Sequence, residues 1–84
     1  MSSIFWYVYM LCSASDPERY YVGLTEDLQG RLRIHNAGRV PYTSKFCPWR
    51  IETAIAFRSK AKAVAFEGYP KSGSGHAFAK RHFW

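Results

Sequence analysis

The sequence predicts an α/β domain of the α+β type, a three-stranded antiparallel sheet flanked by helices. Three observations carry that expectation. Two runs rich in aromatic and β-branched residues, "IFWYVYMLC" and "YYVGL", flank a short polar loop, which is the pattern of a hairpin. A third run from Trp49 to Phe57 alternates large apolar residues with polar or small ones, the period of a strand. Two further segments carry helical spacing behind a capping side chain. At 84 residues the chain is expected to be one domain over 1–84, because a core of this size buries only about 60% of the unfolded surface and cannot be divided further. Its 48% hydrophobic and 18% aromatic residues exclude a disordered chain, which would carry few aromatics.

The elements follow in order. The first strand covers the aromatic run at 4–12. "SASDPER" after it holds Asp16 before Pro17, a turn signal, so the hairpin loop is longer than the tightest two-residue type. In the second strand Tyr20 and Tyr21 point to opposite faces, and Gly23 lets the backbone pass closely. Thr25 is expected to cap the first helix, whose first turn carries Glu26 and Asp27 beside the positive end of the macrodipole. Leu28, Leu32 and either Ile34 or His35 fall at helical spacing, and Gly38 marks the C′ position. "RVPYTSKFCP" lacks helical periodicity and reads as a loop. In the third strand Trp49, Ile51, Thr53, Ile55 and Phe57 are expected on one face, with Arg50, Glu52, Ala54 and Ala56 on the other. Ser59 caps a second helix, "KAKAVAFEGYPK", with Ala63, Phe66 and Ala65 as its inward positions; Gly68 and Pro70 weaken it or end it early. "SGSG" reads as a hinge before a short basic helix, "HAFAKRHF". No repeat, coiled coil or low-complexity stretch occurs.

Charge narrows the function. Twelve Lys and Arg against six Asp and Glu give a formal charge of +6, which favours an anionic partner, nucleic acid first and a membrane surface behind it. Plain solubilising charge is the alternative. Cys12 and Cys47 form no disulfide framework and, with His76 and His82, show no zinc-like spacing. "IFWYVYMLC" has the length of a signal core, but no Lys or Arg precedes it, and it is too short to span a bilayer. A soluble, cytoplasmic protein with free thiols and no membrane association is therefore expected.

The residues that carry chemistry are Tyr9 in "YVY" at 7–9, Tyr21 in "YVG" at 21–23, Arg31 ten residues later, His35 one helical turn beyond it on the same face, and the distant Glu67. In order and spacing this set resembles the GIY-YIG nuclease family, over nearly the whole chain. It is most similar to the small single-domain bacterial members, which share a tail like "AKA…E…KSGSG…FAK". The resemblance implies a phosphodiesterase or endonuclease. Tyr9 or a metal-bound water would act near the nucleophile, Tyr21 would hydrogen-bond it or the phosphate, His35 would assist, and Glu67 would hold a divalent cation, Mg²⁺ or Mn²⁺. It further implies a nucleic-acid substrate, DNA before RNA. With the catalytic module using the whole chain, specificity would be low or supplied by a protein partner. Three departures stand out. Tyr7 occupies the first motif's glycine position, Gly68 and Pro70 flank Glu67, and His82 stands where many relatives carry an asparagine.

The chemistry is consistent with those residue types. Arg31 presents a fork of donors that matches two phosphate oxygens. A single glutamate suits Mg²⁺, which keeps several waters and usually takes one or two protein carboxylates. Tyrosine, with a pKa of about 10, is a poor base at neutral pH, so Tyr9 would need the field of Arg31 and the cation to lower it. Arg33, Arg39, Lys45, Lys71, Lys80 and Arg81 are the candidates for tracking a phosphate backbone. Each residue also has a plain structural reading. Tyr9 and Tyr21 are good strand formers, Arg31 and His35 suit a solvated helix face, and Glu67 suits an exposed helix end. Two other functions stay open: a catalytically weak or inactive nucleic-acid-binding module, and a protein-interaction domain using Trp49, Phe83 and Trp84.

Overall fold

A computed structural model describes residues 4–69, 77 and 80–82. The hairpin forms as expected, from β1 (Trp6–Ser13) and β2 (Tyr20–Thr25). Helix α1 (Leu28–Asn36), a 3₁₀ turn (Thr43–Phe46), strand β3 (Trp49–Phe57) and helix α2 (Lys60–Glu67) follow. The sheet order is β2-β1-β3, antiparallel throughout. Residues Val8, Tyr9, Met10 and Leu11 are all buried, because β1 is the central strand and both of its faces are covered. That is why β1 reads as an unbroken apolar run rather than an alternation.

The two faces hold separate cores. On one, Val8, Met10 and Val22 pack with Ala63 and Phe66 of α2. On the other, Tyr9, Leu11 and Trp49 pack with Leu28 and Leu32 of α1. Strand β3 contributes to both, which corrects the expectation of one apolar face. Met10 pairs with Thr53 but Leu11 pairs with Ile51, so Glu52 is an extra residue in the ladder. A bulge of this kind reverses the side-chain parity of one strand relative to its neighbour. Ile55 and Phe57 therefore face α2, while Ile51 and Trp49 face α1. Each large buried side chain contributes about 1.5–3 kcal/mol.

One helix boundary, the start of α1, differs from expectation. Asp27, not Thr25, caps α1, accepting a hydrogen bond from Gly30 N at 3.0 Å. Thr25 closes β2, and its Oγ1 accepts from Asp27 N at 3.0 Å, which shapes the turn into the helix. Gly38, at φ 74°, ends α1 at the expected C′ position. In α2, Ser59 caps as expected, accepting from Lys62 N at 3.3 Å. Ala63 is buried and Phe66 half-buried, whereas Ala65 is exposed. The helix stops at Glu67, with Gly68 as its C-cap. Ala77 and residues 80–82 have helical backbone, while Pro70, the "SGSG" hinge and Lys71 lie outside the described residues. No helix among the described residues is long and apolar enough to cross a membrane.

Candidate active site

The site begins with the parity of β1. Tyr9 projects toward α1, one register step from Leu11, and its partner across the ladder is Gly23. A Cβ at position 23 would overlap the Tyr9 hydroxyl and the end of its ring. Glycine is needed here for room, since Gly23 has no positive φ. The Tyr9 ring lies across the β2 backbone, and its hydroxyl reaches the α1 side chains.

Helix α1 delivers two of those side chains because Arg31 and His35 are one turn apart. His35 is fully buried, and its Nε2 lies 3.0 Å from Tyr9 Oη. Arg31 is half-buried and donates from Nε to the same oxygen at 3.3 Å. The other ring nitrogen of His35, Nδ1, lies 2.8 Å from Oγ1 of Thr43, a fully buried residue of the 3₁₀ turn. Tyr21 completes the cluster from β2. Its ring centroid is 4.9 Å from that of His35 and 6.3 Å from that of Tyr9. The aromatic series continues outward through exposed Tyr42 at 6.2 Å from Tyr21 and Phe46 at 6.1 Å from Tyr42. The Arg19 guanidinium covers Phe46 at 4.8 Å.

Electrostatics set the protonation states. Burial pushes the Tyr9 phenol above its ordinary 10.0; Arg31 opposes that through its hydrogen bond and charge, and Tyr21 and Glu67 add to the rise. Arg31 acts in the expected direction, but its one partly exposed guanidinium does not by itself outweigh the loss of solvent around the anion. Burial and then the Arg31 charge lower His35 below its ordinary 6.5. At neutral pH the pair is a phenol beside an uncharged imidazole. That arrangement can move a proton from oxygen to nitrogen under a fixed positive charge.

Glu67 is the last residue of α2 and half-buried. Its helix packs on the opposite face of the sheet, yet its charge acts on Tyr9, so it belongs to the same electrostatic neighbourhood. Among the described residues no group of three or more His, Cys, Asp and Glu side chains gathers to cage a metal ion. One hard carboxylate oxygen fits a cation that retains most of its waters and poorly fits zinc.

The other sequence-derived candidates spread more widely. Arg33, in the last turn of α1, and Arg39 and Lys45, in the segment that follows, are exposed. Lys80 and Arg81 are also exposed. Lys80 lines a cavity with Cys12, Tyr20 and Arg50, side chains on the sheet face away from Tyr9. Trp49 is buried, which removes it from any exposed interaction surface; Phe83 and Trp84 lie outside the described residues. Sequence reasoning missed Thr43. The available signal was His35 itself, since an imidazole buried on an inward helix face needs a partner at each nitrogen.

Comparison with known proteins gives a consistent picture. A family model described as the GIY-YIG catalytic domain matches residues 5–80. A UPF0213 protein of Lacticaseibacillus paracasei is 32% identical over 77 residues, covering 90% of this chain and 84% of that protein. A second, from Streptococcus pneumoniae, is 40% identical over 53 residues, covering 62% of this chain and 54% of its own. A protein of Scheffersomyces stipitis named as structure-specific endonuclease subunit SLX1 is 40% identical over 70 residues, 75% of this chain. The chain spans only 21% of that relative's length, and 16% of its homolog in Giardia intestinalis.

Proposed function

We propose, from the premise that the chain belongs to the family of GIY-YIG catalytic domains, that it is a divalent-cation-dependent endonuclease. Its substrate is nucleic acid, DNA in preference to RNA, cut with low intrinsic sequence specificity. The observation that carries this reading is the convergence of Arg31 Nε and His35 Nε2 on Tyr9 Oη, at 3.3 and 3.0 Å.

In this mechanism Arg31 holds the scissile phosphate. Its bond to Tyr9 uses one of the guanidinium's five donors, and the Nη pair suits two non-bridging oxygens. Tyr9 does not work as a preformed phenolate. As the water oxygen bonds to phosphorus and the bond to the leaving sugar oxygen breaks, Tyr9 takes a proton from that water at Oη and passes its own to Nε2 of His35. The phenol stays neutral, the imidazole gains the charge, and the departing oxygen takes a proton from solvent. General acid–base assistance of this kind is worth about 10²–10⁴ in rate. Tyr21 orients Tyr9 and His35 through ring contact and offers its hydroxyl to the water or the phosphate. Glu67 would hold Mg²⁺ or Mn²⁺, which when bound supplies positive charge to the phosphate oxygens. Arg33, Arg39, Lys45, Lys71, Lys80 and Arg81 track the backbone without reading bases. Structure-selectivity comes from a protein partner, as the word "subunit" in the name of the SLX1 relatives suggests, and the protein works in the cytoplasm.

The test is incubation with branched, single-stranded and double-stranded DNA and with RNA, in Mg²⁺, Mn²⁺ or a chelator. Cleavage lost on chelation and reduced at least about a hundredfold in Arg31→Ala and Glu67→Ala is the expected result. No cleavage of any substrate, or full activity in both variants, contradicts the reading. Salt-sensitive binding without cleavage and without metal would instead identify a binding module.

A further inference from the structure

Thr43 has a part in this site that nothing about its residue type announces. It is fully buried beneath α1, and its backbone is held by the Trp49 indole, whose Nε1–H donates to Thr43 O at 2.8 Å. Its Oγ1 has two neighbours, His35 Nδ1 at 2.8 Å and the Val40 carbonyl at 3.3 Å.

The contacts at both ends favour one polarity. The Val40 carbonyl only accepts, so the Thr43 hydroxyl is the donor in their 3.3 Å contact; Val40 O also accepts from Ser44 N at 2.9 Å. Oγ1 then accepts, and the donor must be the Nδ1–H of His35. A neutral imidazole carries one proton, which leaves Nε2 as an acceptor. At the other end Arg31 only donates, so Tyr9 Oη receives its Nε–H and keeps its own proton available to give to Nε2. One direction satisfies every group: Arg31 N–H to Tyr9, Tyr9 O–H to His35, His35 N–H to Thr43, Thr43 O–H to Val40. In the reverse sense Thr43 donates to Nδ1, Nε2–H points at Tyr9, and the Thr43–Val40 hydrogen bond is lost, leaving Val40 O with Ser44 N alone. Tyr9 then cannot hand its proton to His35.

We propose that Thr43 is a positioning residue that locks His35 in the Nδ1–H tautomer, so that Nε2 can receive the Tyr9 proton. The role rests on the nuclease reading for its consequence, but the tautomer itself is a property of the protein without substrate. Nitrogen NMR of His35 in protein labelled with ¹⁵N-histidine reads it directly, because protonated and lone-pair ring nitrogens resonate far apart. The wild type should show a protonated Nδ1 and a bare Nε2 near neutral pH. Thr43→Val, of similar shape but without a hydroxyl, should move the proton to Nε2 wholly or in part; Thr43→Ser should keep it on Nδ1. On the nucleic-acid substrate that the wild type cuts best, Thr43→Val should lose on the order of a hundredfold in kcat, with KM little changed and activity restored in Thr43→Ser. A wild-type proton on Nε2, an unchanged tautomer in a folded Thr43→Val, or Thr43→Ser behaving like valine would overturn the proposal. Should Thr43→Val not fold, the wild-type and serine spectra still decide it. Absence of all nuclease activity would defeat the functional reading and leave the tautomer result standing.

Discussion

Tyr9 is protonated at neutral pH and His35 is not, and both facts follow from burial. Stability should therefore have two edges. His35 has a folded pKa below 6.5, so its contribution is present above that pH and is lost as pH falls through the lower, folded value. Tyr9 has a folded pKa above 10.0, so its contribution is present below that pH and is lost as pH rises through the higher, folded value. Urea midpoints measured from acid to alkaline pH should be flat between these limits. The cleavage rate should share the acid edge, since an imidazolium cannot accept the Tyr9 proton. At Gly23, alanine should cost about 1–3 kcal/mol and reduce cleavage, because its Cβ would meet the Tyr9 hydroxyl; calorimetry and a rate assay measure both. Tyr9, Tyr21, Arg31 and His35 were legible in the sequence because motif order and helical spacing survive folding unchanged. Thr43 was not, because a threonine in an irregular loop has no period to betray which atom it meets.

At the scale of elements, α1 is fastened to β3 as well as packed on it. Asn36 Nδ2 donates to Trp49 O at 3.0 Å, and Trp49 N donates to Asn36 Oδ1 at 2.5 Å. Asn36→Ala should lower stability by about 1–3 kcal/mol through groups left without partners, measurable by urea denaturation, and should loosen the helix that carries Arg31 and His35. The end of α2 has the opposite character. Gly68 is right-handed at φ −73°, and a Cβ there meets nothing closer than 3.9 Å. Gly68→Ala should therefore raise stability by about 0.4–1 kcal/mol with cleavage retained. The glycine beside Glu67 ends the helix without demanding a special backbone. The β1–β2 hairpin, the capping Ser59, the C′ Gly38 and the stop after Glu67 all lay in local chemistry, so they could be anticipated. The face switch in β3 could not, since an extra residue in a ladder is a property of the partner strand and the sequence of 49–57 alternates without a break.

At the scale of the molecule, the net charge of +6 and the exposed Arg33, Arg39, Lys45, Lys80 and Arg81 should make nucleic-acid affinity fall with salt. A plot of log affinity against log salt should lose about 0.7–0.9 of slope for each phosphate contact removed by alanine substitution. Fluorescence anisotropy over a salt series measures it. The two-sided sheet explains how three segments meet at one point and a fourth acts on it: β1 supplies the phenol, β2 the room for it and α1 the guanidinium and imidazole, while the Glu67 charge of α2 reaches Tyr9 from the far face. The central claim is that Tyr9 Oη is where their chemistry meets. Its most direct test is the single-turnover cleavage rate of Tyr9→Phe in Mg²⁺, a change that keeps the ring and removes only the oxygen. A fall of at least about a hundredfold with nucleic-acid affinity retained is expected, and cleavage at the wild-type rate would contradict it.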